Sequence, residues 1–169
     1  MKTIHIILAT VVLGSAALAQ DVTYNFDPAA NFSSFHTYKW VEIQQGVRID
    51  SLTAKQLDSA IQDELAKKGL TKTDSESPDL FIGYQVALDQ ERGLTAFGTG
   101  PRFGGMASAQ TSTIDIGTLV LDMYDGKKAL IWRGKATKTI DPGIKPEKRQ
   151  KNIENGAAKL LKNYPPKTK

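Results

Sequence analysis

Cysteine is absent from all 169 residues. Disulfides, thiolate metal sites, a cysteine nucleophile and lipid attachment at a lipobox cysteine are thereby excluded. Histidine is almost as scarce, with only His5 and His36. A metal centre normally recruits several imidazoles or thiolates, so no metal site is expected. Long apolar runs are missing too: the longest, Ile4 to Leu13, is about half the ~20 residues that span a bilayer. An integral membrane helix is therefore not expected. There is no G-x-S-x-G elbow, no G-x-x-x-x-G-K-[ST] loop, no G-x-G-x-x-G turn and no D-x-D-x-D-G loop. No bound cofactor is expected.

The amino end instead carries the three parts of a secretory signal. Met1-Lys2-Thr3 supplies charge, Ile4 to Leu13 the apolar stretch, and Ala17-Leu18-Ala19 the small-residue cleavage site. Residues 1–19 thus read as a cleaved signal, with the cut before Gln20. The competing reading, a short anchoring helix, falls short on length. Residues 20–169 then form a single domain, long enough to bury a core without staples. The expected compartment is the periplasm or cell envelope, and the domain is not lipid-anchored.

Charge is divided along the chain. Residues 20–125 hold 8 basic and 15 acidic side chains, whereas residues 126–169 hold 13 basic and 3 acidic. The basic C-terminal third could contact an anionic surface or an envelope protein. The plainer reading is a solvated lysine face. Export argues against nucleic acid as a partner.

Periodicity supplies the elements. Val22, Tyr24 and Phe26 alternate in a first strand, and Thr37 to Val41 reads as a second. Leu57, Ile61 and Leu65 recur at a helical spacing within Leu52 to Lys68, with Thr53 and Gln56 as a capping box and Gly69 as a left-handed cap. Leu80 to Leu88 alternates most clearly of all. Residues 92–113 lose the pattern and read as a Gly-rich loop, carrying Gly93, Gly98, Gly100, Gly104 and Gly105. Thr118 to Tyr124 and Ala129 to Thr139 form a hairpin, with Asp125-Gly126 expected to supply positive φ. A last helix runs from Pro146 to about Asn163 and stops at Pro165-Pro166. The order β-β-α-β-β-β-α predicts an α+β, two-layer sandwich: an antiparallel sheet of about five strands, both helices on one face.

Several stretches resemble domain of unknown function family 4136, a group of exported bacterial envelope proteins, many of them lipoproteins. They are Phe32-Ser33-Ser34-Phe35-His36-Thr37-Tyr38-Lys39-Trp40, Pro78-Asp79-Leu80, Gly117 to Asp122, Ile131-Trp132-Arg133-Gly134, and the closing helix with Tyr164-Pro165-Pro166. The resemblance implies a two-layer α/β sandwich in the envelope and brings no activity or site residues. The missing lipobox cysteine departs from many members and implies a free periplasmic protein.

Candidate chemistry is thin. His36 sits among aromatic residues and reads as structural, although Ser33 and Ser34 are its neighbours. Arg102 and Phe103 are the loop residues that could meet a partner, against plain disorder of the loop. Trp40 and Trp132 read as core residues, or alternatively as exposed platforms for a glycan or peptide. Asp115, Asp122 and Asp125 cluster around one strand, and alternation between core and water accounts for them. The expectation is an uncharacterised, exported, non-catalytic binding or envelope-assembly module. The alternative is a small periplasmic hydrolase with carboxylate acid/base chemistry, which requires two acidic residues facing each other.

Overall fold

A computed structural model describes residues 21–43, 46–97 and 108–167, with side chains described over 21–43, 46–92 and 113–167. The expected signal at residues 1–19 lies outside the described residues, as do Arg102 and Phe103. In chain order the elements are β1 (Asp21–Phe26), β2 (Thr37–Trp40), α1 (Ser51–Lys67), β3 (Thr71–Lys72), β4 (Leu80–Phe97), β5 (Ser108–Asp125), β6 (Leu130–Ile140) and α2 (Pro146–Leu160). The strands make one sheet, ordered β1-β6-β5-β4-β2-β3. The α+β class with two helices is borne out.

Two features of the sheet differ from expectation. It has six strands, the added one being the two-residue β3. It is also mixed: β1, β6, β5 and β4 are antiparallel, but β2 runs parallel to both β4 and β3. The reason is α1. Parallel neighbours need a long crossover, usually helical, and α1 lies between β2 and its two partners in sequence. A clip of hydrogen bonds fixes that parallel edge. The Asp79 carboxylate accepts from the amides of His36 (2.9 Å) and Thr37 (2.8 Å) and from the Thr37 hydroxyl (2.8 Å).

Both ends of the expected loop are strand, and residues 98–107 lie outside the described residues. Residues 92–97 pair in register with 113–108, extending β4 and β5 to 18 residues each. β6 stops at Ile140, opposite Asp115, so beyond that point β5 has only β4 as a described partner. A ladder requires only backbone groups, and a two-stranded ribbon outside the layered body leaves no apolar period to read.

Register shows which face is covered. Tyr84, Leu121 and Gly134 are successive cross-strand neighbours and share a face. Tyr84 donates its hydroxyl to Asp58 of α1 (2.7 Å), and Gly134 faces Leu160 of α2. Both helices therefore lie on that face, as expected. Leu57, Ile61 and Leu65 from α1 meet Leu80, Ile82, Leu121, Met123 and Trp132 from the sheet in one core. Burying each such side chain contributes about 1.5–3 kcal/mol. Trp132 fits because Gly134, two residues on and on the same face, has no side chain; an added Cβ would run into the indole ring and lie 2.8 Å from Leu160.

Both helix ends are set locally. Asp50, rather than Thr53, caps α1 by accepting from the amides of Leu52 (3.1 Å) and Thr53 (2.9 Å). Gly69 adopts φ +84° just past the end, as read from sequence. In the β5–β6 turn the positive φ belongs to Lys128 (64°), not Gly126. The turn is longer than a two-residue hairpin. Lys128 donates to the Asp125 carbonyl and Asp125 to the Ala129 carbonyl, which puts the left-handed position third in the loop.

Candidate binding cleft

Both helices begin at the same end of the sheet, and a cavity of about 500 Å³ opens between their first turns and the strands. Three of its lining positions are small: Gly117 on β5, Ala136 on β6 and Gly156 on α2. Leu57, Val86, Leu119 and Ile153 form its apolar walls, and Ile140 lies across Gly117. Ile140 occupies the space beside Gly117, whereas Ala136 and Gly156 contribute little side-chain volume to the lining.

The rim is charged. Arg48, Lys138 and Arg149 line the cavity along with two acids, Asp50 and Asp141. Both acids are already committed to backbone groups: Asp50 caps α1, and Asp141 accepts from the Gly143 amide (3.0 Å). Hydrogen bonds from Thr53, side chain first and then amide, hold the Asp50 carboxyl below its ordinary range. Among the described residues, none of the three cations has an ion pair. Lys138 alternates with Trp132, Gly134 and Ala136, which places it on the core face of β6. Burial, with repulsion from Lys159 and Lys148, pushes its ammonium pKa down.

Exposed apolar residues gather at the same place. Among the described residues the large exposed ones are Tyr24, Val47, Leu52, Leu88, Leu130 and Ile140. Leu88 and Ile140 line the cavity, and Val47 and Leu52 flank its lining segment at Arg48–Asp50. The signal that could have pointed here is Lys138, a lysine on the inward face of an otherwise apolar alternation.

The residues singled out from sequence lie elsewhere. Trp132 is buried, stacked edge-on with Tyr164 at 5.7 Å, and offers no exposed platform. Trp40 is half-buried between Tyr38 and Tyr84, edge-to-face with both. His36 is exposed and engages Asp79 through its amide. The three aspartates do not converge on one point. Asp122, on the opposite sheet face, is held by Arg133 through two bonds of 2.6 and 2.7 Å; Asp125 serves the turn; Asp115 accepts from Gln90. Among the described residues no three histidine or carboxylate side chains gather as metal ligands, and no helix is long and apolar enough to cross a membrane.

The family model of a domain of unknown function, DUF4136, matches residues 22–166. The chain belongs to this family. The stretches that carry the DUF4136 resemblance prove to be spatial neighbours: Asp122, from the Gly117–Asp122 stretch, is register partner of Arg133 from Ile131–Gly134. No curated protein matches. A PDZ domain protein from Parabacteroides distasonis shares the fold at TM-score 0.55 and 16% identity, over 88% of this chain but 36% of that one. The chain thus spans about a third of that protein's length. A PelC dodecamer from Paraburkholderia phytofirmans is similar at TM-score 0.52 and 12% identity, over 85% of this chain and 96% of that one. At these identities the likeness shows the fold alone.

Proposed function

We propose that this DUF4136 protein is an exported, non-catalytic binding module of the cell envelope whose cleft holds an apolar ligand. The observation that carries the reading is the cavity of about 500 Å³ with apolar walls at the shared end of α1 and α2, whose lining includes the exposed apolar residues Leu88 and Ile140. That volume falls within the roughly 300–1,000 Å³ of small-molecule sites. The separation of Asp115, Asp122 and Asp125, and the engagement of the cleft's Asp50 and Asp141 by backbone amides, support a non-catalytic role, because a carboxylate hydrolase requires two acids facing each other across a site. Export rests on the signal-like residues 1–19, and a periplasmic product beginning at Gln20, by intact mass, is the expected result.

The test is binding of the neutral apolar dye N-phenyl-naphthylamine to residues 20–169. Fluorescence should rise saturably in the wild type and fail to do so in Gly156→Phe, which brings a side chain into the cavity from the buried face of α2. Equal enhancement in both, or none in the wild type, overturns the cleft as the site. Turnover of an envelope substrate that is lost on altering Asp115 or His36 would overturn the non-catalytic reading.

A second reading, envelope assembly, is favoured by the β4–β5 ribbon. Among the described residues its strands pair only with each other beyond Asp115, which presents two sheet edges to another chain. The similar PelC fold forms a dodecamer. Sedimentation of the exported form as a monomer at all concentrations would remove this reading.

A further inference from the structure

We infer that the cleft takes a single-chain amphiphile with an anionic head, a long-chain carboxylate being the simplest, its tail among Leu57, Leu119 and Ile153 and its head at Arg48, Lys138 and Arg149. This rests on the binding-module reading and names the class of ligand. The walls are apolar, so the buried part of the ligand is hydrocarbon. The rim has three cations against two acids, a net positive charge, and both acids already accept from backbone amides. A cationic head would meet net repulsion, and a neutral head would leave the excess positive charge unmatched. Lys138 carries the sharpest demand. It is partly withdrawn from water on the core face, and Lys159 and Lys148, both positive, act on it by repulsion. An anion beside it would supply the partner that the fold withholds, and charge-assisted bonds of that kind are about twice as strong as neutral ones. Arg48 and Arg149 approach from the segment before α1 and from α2, so a single head group would bridge the two helix starts. At about 500 Å³ the cavity lies in the lower half of the small-ligand range, which suits one chain rather than two.

The experiment is displacement of N-phenyl-naphthylamine by laurate, dodecanol and dodecyltrimethylammonium, all below their aggregation thresholds. Laurate should displace the dye at about tenfold lower concentration than dodecanol, and the ammonium no better than dodecanol. In Arg48→Ala/Arg149→Ala, both exposed positions, laurate should lose that advantage while dodecanol is unchanged. Laurate equal to dodecanol in the wild type, or an unchanged advantage in the double variant, overturns the inference and leaves the apolar cleft standing. Absence of dye binding overturns both. Laurate active only when presented in anionic vesicles would overturn the inference in favour of surface docking by the basic third.

Discussion

At the scale of single residues, the Asp122–Arg133 pair joins a buried carboxylate to a half-exposed cation. The Asp122 side chain is 2% exposed, whereas that of Arg133 is 49% exposed. Removing the arginine leaves a buried carboxylate with only the 3.3 Å bond from the Tyr124 hydroxyl, but removing the aspartate releases a guanidinium that water already reaches. Arg133→Ala should therefore cost about 2–4 kcal/mol and Asp122→Ala about 1 kcal/mol. The double variant should recover most of the difference, measured by urea unfolding as a double-mutant cycle. Lys128 offers the opposite sign. At φ 64° a side chain costs about 1–2 kcal/mol, of which glycine gives back about 0.5–1 in entropy. Lys128→Gly should raise stability by about 0.5–1 kcal/mol, a rise of a few degrees in thermal midpoint. A fall would place the strain elsewhere in the turn.

Among the elements, the parallel edge depends on one carboxylate. Asp79 joins the starts of β2 and β4, and hydrogen bonds from the His36 amide and then from Thr37 hold its pKa below the ordinary value. A depressed folded-state pKa contributes stability that is complete above the unfolded value, near 4, and is lost as pH falls through the folded one. Asp79→Ala should lower stability by about 1–2 kcal/mol at neutral pH, with the gap to wild type closing below about pH 4. A gap constant down to pH 2 would mean that charge takes no part in the clip. The sheet's other constraint is steric. Gly134→Ala places a methyl against the fully packed Trp132 and Leu160, and should cost about 1–3 kcal/mol by thermal unfolding.

At the same scale one sees why some elements were legible in the sequence and others were not. α1 has an apolar stripe and a left-handed glycine at its end, and β4 alternates from Leu80 to Leu88; both signals come from burial on one side only. The parallel pairing of β2 was implicit in the helix that separates it from β4, a constraint of connectivity rather than of composition. The outer halves of β4 and β5 pair where no layer lies over the ribbon, so backbone bonding left no trace in the residue pattern. The cleft was hidden for a related reason. Gly117 admits Ile140, whereas Ala136 and Gly156 line the cavity, and small residues look alike in sequence whether they admit a neighbour or leave room for a ligand. Only Lys138, charged on an inward face, marked the place.

For the whole molecule, the fold separates into a layered body and a protruding ribbon. All the core residues described lie outside residues 89–117: in β2, the first half of β4, the second half of β5, β6, the two helices, and the flanking residues Phe32, Leu70, Leu161 and Tyr164. The cleft belongs to the body, at the level where Leu88, Gly117 and Ile140 meet. A two-stranded ribbon on its own is only marginally stable in water, so its pairing draws on the body and returns little to it. Replacing residues 93–112 by a tight turn should leave the thermal midpoint within about 3 °C of wild type and should preserve dye binding. If the ribbon's edges serve assembly, the same variant sediments as a monomer at concentrations where the wild type associates. Loss of the fold on truncation would show instead that the long ladder is part of the cooperative unit, and that body and ribbon cannot be assigned separate tasks.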